Sequence, residues 1–400
     1  MTLKSPKLGL KENWRQFVLL LIVNAFVGGM VGLERTILPK LAEEEFQIYM
    51  PSIILSFIIV FGFVKAITNY YTGRFANSIG RKNLLILGWI IAIPIPFILM
   101  YANHWNWVIF ANVLLGINQG LTWSSTVVMK IDLVGKHQRG LAMGLNESFG
   151  YFSIALVAFS TGWIASEYGV RPYPFYQGIV FAALGLLLSV FFIRDTIHHV
   201  NIEKQTSSIK LLKNIFKETT WSNNNLGAIS QAGFVNNLND GMIWGVLPMI
   251  LASRNFSIKE IAIIVAMYPA VWGIGQLATG KLSDLYNKKI MLTIGMLLQA
   301  IALIAMFYAN TMQWFIILSV LLGIGTAIVY PTFLSAMSDY TNPSQRAQSI
   351  GVFRFWRDSG YAFGAIFTIL ISKFFNIELS LIIIGVVTLA SAIIIKIRMD

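Results

Sequence analysis

The 400-residue chain contains no cysteine. That excludes a disulfide framework, a thiolate zinc cluster and a thiol nucleophile. Charge is also scarce. Only 12% of residues are Asp, Glu, Lys or Arg, where a soluble domain carries about a quarter. Too little polar surface remains to cover a water-facing globule, so a membrane protein is expected. Histidine is limited to His104, His137, His198 and His199. None of the four forms a ligand pattern with carboxylates, and neighbours such as His198 and His199 point in different directions on a helix. No nucleophile–base pair or phosphate loop is present. The glycines of "WGIG" and "GIGTA" lack the strand–loop–helix context of a nucleotide fingerprint. An enzyme is therefore not expected, nor any cofactor or metal.

What the chain does have is apolar sequence, 56% of the total, with 13% aromatic residues. Aromatic residues concentrate where helices cross the two membrane interfaces. A bilayer core takes about 20 apolar residues per helix. Twelve such runs can be read, at 15–38, 51–72, 83–101, 106–129, 140–166 and 172–194, then 223–251, 258–280, 288–310, 313–336, 347–372 and 377–397. The first follows Lys4, Lys7, Lys11 and Arg15, like a signal peptide. It is too long for one and lacks a small-x-small cleavage site, so it is read as a mature helix. Lysine and arginine in the short loops set the orientation. Loops on the side of the termini hold Arg74, Arg81, Lys82, Lys130, Lys136, Arg139, Arg194, Lys204, Lys210, Lys213, Lys217, Lys281, Lys288, Lys289, Arg346, Lys396 and Arg398. The opposite loops hold only Lys40, Arg171, Arg254, Lys259 and Lys373. Both termini are thus expected in the cytoplasm, in an inner or plasma membrane. The net charge of +12 is accounted for by topology rather than by a nucleic-acid partner. Residues 195–222 are the longest polar stretch. They read as a cytoplasmic linker, with room for a helix on the membrane surface, between a domain at 1–194 and another at 223–400.

The two halves repeat. "TGRFANSIGRKNLLILG", Thr72–Gly88, aligns without a gap to "TGKLSDLYNKKIMLTIG", Thr279–Gly295. At the same offset Gly116-Ile117 matches Gly323-Ile324, Asp132 matches Asp339, Gln138-Arg139 matches Gln345-Arg346, and Gly144 matches Gly351. At a slightly longer offset Leu38-Pro39 matches Leu247-Pro248. Two parallel six-helix repeats are an architecture of secondary transporters. The chain resembles a major facilitator superfamily transporter. That family's loop signature, Gly-x-x-x-Asp-x-x-Gly-Arg-Lys/Arg, reads here Gly73, Asn77, Gly80, Arg81, Lys82 and again Gly280, Asp284, Asn287, Lys288, Lys289. Each copy departs once, at Asn77 and at Asn287. The resemblance also implies an acid ending helix 4 and a base starting helix 5, which Asp132 with Arg139, and Asp339 with Arg346, supply. The fold implied is all-α, with twelve transmembrane helices in two pseudo-symmetric six-helix bundles. The glycines let helices approach closely, and the charges can form a releasable latch. Alternatively the bases only enforce topology. Without an acid at Asn77 the first-half latch is expected to be the weaker one.

Charges inside or near the spans are Glu34, Arg35, Lys65, Glu147, Asp240, Arg354, Arg357 and Asp358. Each is expensive in lipid unless solvated or paired, and each is a functional candidate. Helical spacing groups them with polar neighbours. Asn24, Gly28 and Arg35 share a face. Phe61, Lys65 and Asn69 form a stripe repeated as Tyr268, Trp272 and Gln276. Asn112, Gln119 and Trp123 share a face, with Thr326 and Tyr330 in the places matching Gln119 and Trp123. "NNLND" carries Asn236 and Asp240, and "FRFWRDSGY" carries Arg354, Arg357 and Asp358. In the family, helices 1, 4, 7 and 10 line the central path. The polar stripes are read as cavity lining or as helix-packing glue. The two arginines suit a carboxylate or phosphate, or belong to a structural network in which Asp358 and Glu147 neutralise them. Glu34, Glu147, Asp240 and Asp358 are the candidates for proton coupling. Sodium is the alternative, through the oxygens of "NNLND". Drug antiporters of the family often carry Gly-Pro late in helix 5 and an arginine in helix 4. Here the fifth span ends "VAFSTGWIA" and the helix 4 slot is Asn112. The function expected is alternating-access transport of a small organic solute, anionic and proton-coupled, by a monomer surrounded by lipid. The rivals are a multidrug/proton antiporter and a non-transporting receptor on the same fold.

Overall fold

The computed structural model describes residues 7–35, 37–50, 53, 56–256 and 258–400. Lys4 and the side chains of Arg35, Pro39, Pro248 and Lys259 lie outside the described set. The chain is 86% helical, with no strand among the described residues. It is an all-α membrane protein of twelve transmembrane helices in two pseudo-symmetric six-helix bundles. In chain order the helices are α1 (Trp14–Arg35), α2 (Leu38–Phe46), α3 (Ser56–Ile79), α4 (Arg81–Ala92), α5 (Pro94–Tyr101), α6 (Trp105–Val134), α7 (Arg139–Tyr168), α8 (Tyr176–Phe191) and α9 (Ile197–Thr206). They continue as α10 (Asn224–Ser253), α11 (Ile258–Leu285), α12 (Lys288–Tyr308), α13 (Met312–Asp339), α14 (Pro343–Phe374) and α15 (Leu379–Arg398).

The pairs α4 and α5 form one span, Arg81–Tyr101. It is divided because Pro94 has no N–H to donate and its ring crowds the preceding turn. Among the described residues, eight spans are long and apolar enough to cross a bilayer on length and composition alone. Helices α3, α6, α10 and α14 are long but not among them, and they carry Lys65, Gln119, Asp240 and Arg354 respectively. The helices that look least like lipid-facing segments therefore hold most of the candidate site.

Two compact units emerge. Unit 1 comprises 1–137, 146–208 and 342–351; unit 2 comprises 138–145, 209–341 and 352–400. Helices α7 and α14 thus contribute residues to both. Within unit 1, α3 packs on α6, α4 on α6 and α8, and α1 on α8. Within unit 2 the matching pairs recur: α11 on α13, α12 on α13 and α15, and α10 on α15. The repeat reaches atomic detail. A Cβ on Gly116 would lie 3.0 Å from Val64 and 3.1 Å from the Phe61 carbonyl; one on Gly323 would lie 2.9 Å from both Val271 and the Tyr268 carbonyl. Each pair of residues occupies corresponding positions in the two halves.

The segment after α8 is built onto unit 1. Asp195 accepts from the Lys82 amide at 2.9 Å, and Thr196 donates to Asp132 at 2.8 Å. His199 Nε2 meets Asn13 Oδ1 at 3.3 Å, while its Nδ1 is buried without a hydrogen-bond partner. Burial, then the neighbouring His198, lowers the His199 pKa below 6.5. The unfolded chain therefore binds the proton first, and stability is lost as pH falls below about 6.5 toward the folded value. Thermal unfolding followed from pH 7.5 to 5 should show a decline that is shallower in His199→Gln. An identical pH profile in that variant would rule the histidine out.

Candidate functional site

In unit 1 a polar spine joins α1, α3, α6 and α7. The Lys65 ammonium lies 5.4 Å from the ring centres of both Phe61 and Trp123, a cation–π arrangement. Trp123 Nε1 donates to Glu147 Oε1 at 3.2 Å, and Asn146 Nδ2 donates to the same oxygen at 2.7 Å. Lys130 Nζ donates to Asn146 Oδ1 at 2.6 Å. Asn24 donates to the Asn146 carbonyl at 2.9 Å and accepts from Thr126 at 3.0 Å. Asn69 accepts from Ser124 at 2.5 Å, and Gln119 donates to the Val27 carbonyl at 2.8 Å. Glu34 is buried beside Asn112. Asn146 thus bridges the Glu147 carboxylate to the Lys130 ammonium, a connection that the sequence reading did not include. Lys130 itself is no loop residue. It sits fully buried in α6, seven positions after Trp123 and so on the same helical face. That spacing was available as a signal, but proximity to the span end hid it.

Unit 2 builds its counterpart on α10, α11, α13 and α14. Tyr268 donates to Asp240 and lies 3.3 Å from Thr326. Tyr268 stacks on Trp272 at 5.8 Å, and Trp272 meets Tyr330 edge-on at 4.9 Å. Arg357 closes this row. Its guanidinium is 5.0 Å from the Tyr330 ring and 5.8 Å from Phe353, and its Nε donates to Asp358 at 2.8 Å. Arg354 and Gln276 are fully buried; neither amide atom of Gln276 makes a hydrogen bond. A chain of side-chain amides supports the carboxylate. Thr388 donates to Asn239, Asn239 to Gln299, and Gln299 to Asn236, at 2.7, 2.9 and 3.0 Å. Asn236 then donates to Asn237, and Asn237 to Asp358, each at 3.3 Å. Sequence reasoning missed Gln299, although a lone glutamine in an apolar span is itself a signal.

The repeated loops form two charge clusters. In unit 1, Arg81 approaches Asp132 at 3.4 Å and Arg346 approaches it at 3.8 Å. In unit 2, Lys288 and Arg139 approach Asp339 at 2.5 and 2.9 Å. The acid ending α6 is thus paired with the base starting α14, and the acid ending α13 with the base starting α7. Asp284 accepts from the amides of Gly140 and Leu141 at 2.7 and 2.8 Å, at the N-terminus of α7, where a helix favours negative charge. At the corresponding place Asn77 donates to the Ser344 carbonyl at 2.6 Å. Glycines allow these approaches. A Cβ on Gly73 would lie 2.4 Å from the Ala347 carbonyl, and one on Gly280 2.6 Å from the Gly144 Cα.

The helical halves, the duplicated loops and the buried polar spines together define a membrane transporter of the two-bundle type. Residues 17–228 and 229–399 match the Major Facilitator Superfamily, and the chain belongs to that family. It is similar to the multidrug resistance protein MdtG of Salmonella choleraesuis (strain SC-B67), 25% identical over 356 residues, covering 85% of this chain and 83% of that protein. MdtG of Salmonella typhi matches to the same extent. Among solved structures, the human organic anion transporter MFSD10 (TETRAN) superposes with a TM-score of 0.81 at 13% identity, over 96% of this chain and 99% of that one. The proton:xylose symporter XylE, bound to 6-bromo-6-deoxy-D-glucose, gives 0.76 at 13% identity over 95% of each chain.

Proposed function

We propose that this chain is a secondary transporter moving a small organic anion by alternating access, coupled to protons, in an inner or plasma membrane with both termini in the cytoplasm. The observation that carries the reading is Arg357, 2% exposed, held against two ring faces and donating to the carboxylate of Asp358. A guanidinium keeps its charge when buried. A substrate carboxylate or phosphate can take the place of Asp358, whose own charge a proton then neutralises. Arg354, Asn236, Trp272, Gln276 and Tyr330 would line the same path in unit 2; Asn24, Lys65, Asn69, Gln119 and Trp123 would do so in unit 1. Glu34, Glu147, Asp240 and Asp358 are the carboxylates assigned to coupling. The two charge clusters, with Gly73 and Gly280, are assigned to a cytoplasmic latch, between domains at 1–194 and 223–400 joined by the 195–222 linker.

A second reading is favoured by the similarity to MdtG and by the aromatic row Tyr268–Trp272–Tyr330 beside Asp240. It is a proton-coupled exporter of lipophilic compounds. Thermal unfolding of the purified protein against a panel of organic anions and lipophilic cations separates the two. A ligand at 100 times its Kd stabilises the fold by ~2.7 kcal/mol. An anion should stabilise the wild type, and Arg357→Ala should weaken its binding about tenfold or more, since hydrogen bonds to charged groups are worth ~1.5–3 kcal/mol. Stabilisation by cations alone, unchanged in Arg357→Ala, would discard the anion reading.

A further inference from the structure

The two charge clusters differ in one respect that the repeat does not explain. The unit 2 cluster contains the cations Lys288 and Arg139 and the acids Asp339 and Asp284. In unit 1 the cations Arg81 and Arg346 correspond to Lys288 and Arg139, and Asp132 corresponds to Asp339. The place of Asp284 falls on Asn77, which is neutral. One acid is missing from a cluster whose Arg81, Asp132 and Arg346 are each 1% exposed. Water therefore cannot balance the charge.

Glu203 stands in that gap. Arg346 donates to its two carboxylate oxygens at 2.8 and 2.6 Å, the bidentate geometry that an arginine forms with a carboxylate. Glu203 lies on α9, 12% exposed, in the linker. The linker is the segment between the halves that has no second copy. We infer that Glu203 supplies from the linker the carboxylate that Asn77 no longer supplies from the loop, making α9 a working part of the latch rather than a tether. Glu203 acts through Arg346 as a positioning residue. It holds the first turns of α14 against α3, where Gly73 meets Ala347 and Gly351. The two acids are interchangeable in charge but differ in origin: one belongs to the moving helix pair, the other to the connection between halves. This inference rests on the latch reading above.

The absence of native cysteine provides the test. Ser349 is fully buried in α14 and its hydroxyl makes no hydrogen bond, so Ser349→Cys places an isosteric reporter under the latch. Maleimide labelling of the purified full-length protein then reads latch opening without a known substrate. Glu203→Gln should speed labelling at least threefold. Asn77→Asp alone should leave the rate close to the reference, and Asn77→Asp combined with Glu203→Gln should return it at least halfway. Glu203→Asp keeps the charge and should remain near the reference; it also serves if Glu203→Gln does not fold. Asp132→Asn is the control for the latch itself. If Asp132→Asn accelerates labelling and Glu203→Gln does not, the linker acid is idle and the inference fails while the latch stands. If neither changes the rate, the latch reading fails as well. Acceleration in Glu203→Gln with no recovery on adding Asn77→Asp would overturn the substitution of one acid for the other.

Discussion

Asp132→Ala is expected to destabilise the protein by ~3–5 kcal/mol, the range for breaking a buried ion pair from one side. Asp132 is 1% exposed and faces two buried cations, Arg81 at 3.4 Å and Arg346 at 3.8 Å. It also accepts from Thr196 at 2.8 Å. Arg346 keeps Glu203 when Asp132 is lost. Arg81 keeps the Ala76 carbonyl at 3.2 Å, a neutral acceptor that does not offset a buried charge. Most of the loss should therefore come from Arg81. Adding Arg81→Leu to Asp132→Ala should recover part of it, because replacing buried ions by apolar groups is often neutral. Unfolding of the purified protein in mixed micelles titrated with denaturing detergent gives the comparison. Wild-type stability in Asp132→Ala would mean that water reaches Arg81 and that the cluster is not the closed, dry unit described above.

Gly280→Val should have an effect of similar size on the other cluster. The new Cβ would lie 2.6 Å from Gly144 Cα and 2.7 Å from the Gly140 carbonyl. Both are backbone atoms, with no rotamer to yield. Overpacking of this kind costs ~1–3 kcal/mol even in cores that can adjust. Here relief requires α7 and α11 to separate, which also withdraws Asp284 from the Gly140 and Leu141 amides. The expected outcome is loss of stability together with loss of transport. Gly273→Ala, on the same helix, adds a Cβ that meets no atom within 4 Å and should be silent. If Gly280→Val and Gly273→Ala behave alike, the close approach is not what the repeated glycine is for.

How legible these features were depends on what kind of information each requires. Twelve spans, the duplicated half and the family are one-dimensional properties. Hydropathy accumulates along a segment, and a repeat is visible in any alignment of the chain with itself. The stripes Lys65–Asn69 and Trp272–Gln276 were legible for the same reason, because helical periodicity turns spacing into a face. Lys130 escaped because its burial is decided by neighbours distant in the chain, among them Asn146 of α7, to which it donates and which Asn24 of α1 in turn holds. A lysine at the end of an apolar run reads equally well as a topology signal.

Most members of the two charge clusters were therefore legible in the sequence, Glu203 excepted, and their pairing was decided by the tertiary structure. The sequence placed Asp132 and Asp339 at helix ends and Arg139 and Arg346 at the starts of the next helices. Only the folded chain joined Arg139 to Asp339 and Arg346 to Asp132 and Glu203. The physical reason is that Coulomb attraction falls with distance in space, not with separation along the chain. Residues that are 200 and 143 positions apart become partners when helices cross, and no local pattern in the sequence records that crossing.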